Sequence, residues 1–191
     1  MNTLDAISAR RSIRKFKADP VPAELLQTIF KAALQAPSAK NKQPWRWVVV
    51  SGDRRKDMVR LMREGLAKMK AAGHSTGSAQ WSVKIMEQAP VTAFVFSASG
   101  LSPWQPHSVE QLIDAVVDVQ SVGAAIQNLL LAAQDQGLGS LWICDVFYAY
   151  DELCGWLGTA GQLVAAVSLG YADEAPAARP RKPMGEMVRW L

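Results

Sequence analysis

The feature that most constrains this chain is the stretch from Val109 to Gln136, which no proline interrupts and whose pattern predicts one long helix. Its upstream half mixes Asp114 and Asp118 with valines. Its downstream half, Val122 to Ala133, is apolar nearly all round. A helix of that kind must be covered on most sides. Asp114, Asp118, Gln120 and Gln127 break the apolar run, which argues against a membrane span. The cover must therefore come from protein.

The rest of the chain offers it. Short apolar runs rich in β-branched residues predict strands over Trp45–Ser51, Val91–Ser97, Leu138–Cys144 and Leu163–Leu169. Helices are predicted between them. The first is Thr3 to Arg10, with Thr3 as its N-cap and Leu4 and Ile7 on one face. A second starts at Pro22, carries the stripe Leu25, Leu26, Ile29, Phe30, Ala33 and Leu34, and stops near Ala36-Pro37. Arg54 to Ala72 holds a methionine stripe that reads as packing, and Asp151 to Leu157 is a short helix. Gly137 suits the C-cap of the long helix. Gly73–Ser82 and Gly100–His107 read as loops. The proline-bearing tail runs extended, with Glu186–Leu191 as one more strand.

Helices alternating with apolar strands predict a sheet with helices packed on it. One domain over residues 1–175 is expected, followed by an arm over residues 176–191. The arm's apolar end, Met187, Val188 and Trp190, has no partner close in sequence, so pairing with a second subunit is expected. A hydrophobic content of 49% in 191 residues suffices for such a core, and a net charge of +4 is too mild to signal nucleic-acid binding. Two cysteines, Cys144 and Cys154, make neither a disulfide framework nor a common metal motif. The N-terminus lacks an apolar signal core, so a soluble cytoplasmic protein, free of membrane and nucleic acid, is the expectation.

Three segments carry candidate chemistry. Arg10, Arg11 and Arg14 surround Ser12 at the end of the first helix, and a phosphate would relieve their mutual repulsion through paired hydrogen bonds. Arg179-Pro-Arg181-Lys182 is a second cationic cluster, stiffened by prolines. The loop from Ala36 to Trp45 offers Ser38, Asn41 and Gln43 to the polar edge of a heterocycle or a ribityl chain; turn chemistry is the competing reading, strong for Ser38 and weaker for Gln43. Trp81, Trp104 and the Gly73–Trp81 loop suit a flat aromatic substrate or a cap on the core.

Together, Arg10-Arg11-Ser12-Ile13-Arg14-Lys15-Phe16, then Ala36-Pro37-Ser38 with Asn41 and Gln43-Pro44-Trp45, then Gly137 to Ile143, then Leu169-Gly170-Tyr171 with Arg179 to Pro183, resemble the nitroreductase family in order and over nearly the whole chain. The resemblance implies an α+β fold: a three-layer α/β/α sandwich with a central mixed, largely antiparallel sheet and an exchanged C-terminal arm. It implies a homodimer with flavin mononucleotide (FMN) at the subunit interface. NADH or NADPH would reduce the flavin, which would reduce a nitroaromatic, a quinone or a related electrophile in a ping-pong cycle. By position, Arg10, Arg11, Ser12 and Arg14 would hold phosphate and ribityl groups, and Arg179 and Arg181 would close on the phosphate. Gln35, Pro37, Ser38, Ala39, Asn41 and Gln43 would line the flavin, in part from the other subunit. Trp142, Ile143 and Cys144 would lie along the isoalloxazine. Cys144 stands where similar sequences have glycine or an acid, and reads as an inert small hydrophobe. The flavin carries the electrons, so no catalytic side chain is expected.

Two other readings remain. A flavin-binding or storage protein, or a dehalogenase or flavin-modifying enzyme, could share the scaffold. Gly73-His74-Ser75-Thr76-Gly77 matches the nucleophile elbow of serine hydrolases, which requires a strand before it; here a helix is predicted instead.

Overall fold

The computed structural model describes residues 1–191. Four strands form one sheet: β1 (Trp45–Ser51), β2 (Val91–Ser97), β3 (Gly139–Ile143) and β4 (Gln162–Gly170), in the spatial order β1-β2-β4-β3. Every ladder is antiparallel. The one parallel element is a single bridge between Ser12 and Ser140, and the expected mixed character reduces to it. All of β2 is buried, because its two-residue period sends Phe94 and Phe96 to one core and Val95 to the other.

Helices α3 (Arg54–Ala71), α4 (Ala79–Gln88) and α6 (Tyr150–Leu157) cover the first core. Helices α2 (Ala23–Ala33) and α5 (Val109–Asp135) cover the second. The result is the expected three-layer sandwich. Helix α5 starts on a capping box between Ser108 and Gln111, and its downstream residues Val122, Ala125, Ile126 and Leu129 are fully buried. Its length and composition would suit a membrane span, but that half is the spine of a core. Its upstream half differs: Val109, Leu112, Ile113 and Val116 form an exposed stripe at helical spacing.

Three expectations need correction. Residues 79–88 are helix α4, so the loop read over Gly73–Ser82 ends at Ser78. The helix forms because Ala79, Val83 and Met86, spaced i, i+4, i+7, all bury in the first core beside α3. The strand expected over Glu186–Leu191 is absent; one helical turn, α7 (Met184–Met187), is followed by exposed, unpaired chain. A strand needs a ladder partner, and a single chain provides none there. Helix α1 (Thr3–Ala9) is capped by Asn2, whose side chain accepts from the Asp5 N–H at 2.9 Å, and not by Thr3. Its Leu4 and Ile7 face outward.

Candidate functional site

The N-terminal cations are set in place by backbone zippering. Beyond α1 the chain runs extended along β3: the Ile13 N–H donates to the Ser140 carbonyl at 2.9 Å. The segment after β4 straps the other side, with Lys17 N–H donating to Tyr171 and Asp173 N–H to Lys15, both at 2.9 Å. Ile13 and Phe16 bury into the core, and the alternation turns Arg14 outward. The approach is close enough to require Gly139, where an added Cβ would lie 2.9 Å from the Ile13 side chain.

The same strap carries the tail back over the end of α1. Arg10, Arg11, Ser12, Arg14, Arg179 and Arg181 line one cavity of about 450 Å³ with Ile7, Ser8 and Pro176–Ala178. Two distant sequence clusters thus share one site. None of these five arginines takes part in an ion pair. Arg11 donates only to the carbonyls of Ser8 and Arg10, and Arg14 to that of Ser12. Burial, then the neighbouring Arg181 and Arg11, lower the Arg10 pKa from its ordinary value. Cations held together with spare donors and no acid present the chemistry of a phosphate cradle.

Arg14 also lines a second cavity, of about 730 Å³. The end of β3 supplies Trp142, Ile143, Cys144 and Asp145; α4 supplies Trp81, Ser82 and Lys84; Lys15 and Glu174 complete the charged residues. The Ser82 hydroxyl donates to Asp145 and ties α4 to the end of β3. Glu174 accepts the backbone N–H groups of Arg14 and Lys15. Burial, and then the Asp145 charge, push the Cys144 thiol pKa up, so it stays protonated at neutral pH. That agrees with an inert thiol. An arginine-lined cavity that shares Arg14 with a larger, partly aromatic one has the chemistry to fit a flat heterocycle bearing a monophosphate tail, as FMN is.

The loop residues Gln35, Pro37, Ser38, Ala39, Asn41 and Gln43 line neither cavity. The strand order explains this. The loop feeds β1, at the opposite edge from β3, and three strand spacings separate them by about 14 Å. The loop is nevertheless tightly built. Lys40, Asn41 and Gln43 adopt left-handed φ values of 52°, 54° and 49°, an uncommon state for residues other than glycine. Ser38 Oγ accepts the Gln43 N–H at 3.0 Å, which is the turn chemistry anticipated for it. Lys42 Nζ lies 3.8 Å from both Asp114 and the buried Asp118 of α5.

Sequence reasoning missed Ser82, Lys84, Asp145 and Glu174, the first two because turn residues ahead of α4 masked its short apolar stripe. Trp104 packs edge-on against Tyr150, away from this cavity, so of the two tryptophans only Trp81 lines it. The hydrolase motif lacks its strand: Gly73 follows α3, and His107 bonds the Ser102 carbonyl.

The nitroreductase family model matches residues 7–171. A Methanothermobacter thermautotrophicus protein, provisionally named NADH dehydrogenase/NAD(P)H nitroreductase, is 34% identical over 188 residues, covering 94% of this chain and 82% of its own. The iodotyrosine deiodinase of Thermotoga neapolitana is 29% identical over 195 residues, covering 96% and 94%. Among solved structures, a provisionally named nitroreductase from Desulfovibrio desulfuricans in complex with FMN superposes with a TM-score of 0.75 at 28% identity, covering 98% of this chain and 95% of that one.

Proposed function

The chain belongs to the nitroreductase family, and from that premise we propose that it is an FMN-dependent oxidoreductase. Its reductant is NADH or NADPH, and its acceptors are nitroaromatics, quinones or related electrophiles, reduced in a ping-pong cycle. The observation that carries the reading is the cavity of five unpaired arginines, which shares Arg14 with the cavity at the end of β3. Arg10, Arg11, Ser12, Arg14, Arg179 and Arg181 would hold the FMN phosphate and ribityl chain. Trp142, Ile143 and Cys144 would flank the ring system. When bound, the flavin supplies the two-electron chemistry. The protein binds and orients it and leaves an approach for the acceptor. Asp145 and Glu174 are engaged in hydrogen bonds, so the proton for the acceptor comes from water or from the acceptor itself.

The active unit in this reading is a cytoplasmic homodimer. Three observations support two copies. The exposed stripe Val109, Leu112, Ile113 and Val116 is an apolar face that a soluble protein covers. The loop 35–43 lies a sheet's width from its own subunit's cavities, where a second copy could offer it to them. The arm, residues 176–191, would pack on the partner through Met187, Val188 and Trp190, all exposed in the single chain.

A second reading, reductive dehalogenation on the same flavin, is favoured by the similarity to iodotyrosine deiodinase. Iodide release from iodotyrosine, measured against reduction of a nitroaromatic, separates the two. The shared premise is tested by purification: a yellow protein with one FMN per chain is expected. A colourless protein that takes up no FMN on titration contradicts it.

A further inference from the structure

Helix α4 presents a wall to the larger cavity that the flavin reading does not use. Ala79, Val83 and Met86 anchor it in the core, and the opposite face carries Trp81 and Lys84. Trp81 is 65% exposed, and Lys84 Nζ lies 4.6 Å from the centre of its ring. The ammonium stands over one face of the indole as a cation–π pair, and an aromatic guest stacking on the free face would lie within reach of that charge.

The surrounding charges decide what could use them. Arg14, Lys15 and Lys84 face two carboxylates, Asp145 and Glu174. Asp145 accepts from the Ser82 hydroxyl and Glu174 from backbone N–H groups, so neutral donors engage both acids. No ion pair joins either of them to any of the three cations. Both acids keep their charge, and with Arg14 given to the flavin phosphate they balance Lys15 and Lys84 in number; the selection therefore rests on Lys84 itself, whose ammonium is in no ion pair and stands against the exposed indole.

We propose that this wall selects an aromatic anion, a carboxylate or a phenolate, as the electron acceptor, with Trp81 stacking on its ring and Lys84 holding its charge. The proposal rests on the flavin reading for the reduction step but not for binding, and its test uses both. Para-nitrobenzoate and para-nitrobenzamide have nearly the same shape and differ in charge. At low salt kcat/KM for the benzoate should exceed that for the amide roughly three- to ten-fold, mainly through KM, as expected of a partly exposed charge pair. The ratio should fall toward one in Lys84→Gln, recover in Lys84→Arg, and shrink with added salt. Binding of each compound to the purified protein, read as quenching of tryptophan emission, should show the same order. Equal dissociation constants for the two compounds, or a ratio unmoved by Lys84→Gln, overturns the anion selection. Stronger binding of the benzoate with no reduction of either compound supports it and contradicts the flavin reading instead.

Discussion

At the residue scale, the account turns on guanidinium groups without acids. Each charge-assisted bond from an arginine to a phosphate contributes about 1.5–3 kcal/mol net. Arg10→Ala and Arg14→Ala should each weaken FMN binding on the order of ten- to a hundred-fold in a fluorescence titration. Unchanged affinity in both variants would remove the phosphate role. Tyr150 gives a second prediction. Burial, and then Cys154, push its phenol from 10 up to about 12. The folded state thus holds the phenolic proton more tightly than the unfolded state. That stabilisation is complete below pH 10 and is lost as pH rises toward about 12. Urea midpoints should fall across that window in the natural protein and fall less in Tyr150→Phe; parallel profiles would refute the coupling. The individual cations were legible in the sequence because charge is a property of residue type. Their convergence was not, because it depends on backbone bridges from residues 12–17 to β3 and to the strap after β4.

At the scale of elements, that strap is the device that assembles the site. Gly139 leaves room for Ile13, and an added methyl would meet a branched, buried side chain at 2.9 Å. Gly139→Ala should destabilise the fold by about 1–3 kcal/mol and lower flavin occupancy with it. Full stability in chemical denaturation would show that the contact yields freely. The strands and the long helix were readable from apolar periodicity, since each buries a whole face. Helix α4 was not, because Gly77-Ser78-Ala79 reads as turn residues and its stripe is short. The tail misled for another reason: Met187, Val188 and Trp190 have the composition of a strand, but hydrogen-bond partners define one. The loop 35–43 was legible as polar chemistry, yet its place across the sheet follows from the strand order, which no local pattern encodes.

At the scale of the molecule, one subunit leaves an apolar stripe on α5, an exposed arm and the loop 35–43 at the sheet edge opposite both cavities. The proposed dimer would engage all three. Ile113→Glu should shift the protein toward monomer in sedimentation velocity, as should removal of residues 183–191, with loss of flavin following; a persistent dimer in both would refute these interfaces. The central claim is that this assembly moves electrons from a nicotinamide to an acceptor through FMN. Anaerobic addition of NADH or NADPH, followed by a nitroaromatic, tests it in one cuvette. Bleaching of the flavin band by at least one nucleotide and its return with the acceptor is the predicted result. A flavin band that neither nucleotide bleaches would contradict the account and leave a protein that binds FMN without using it.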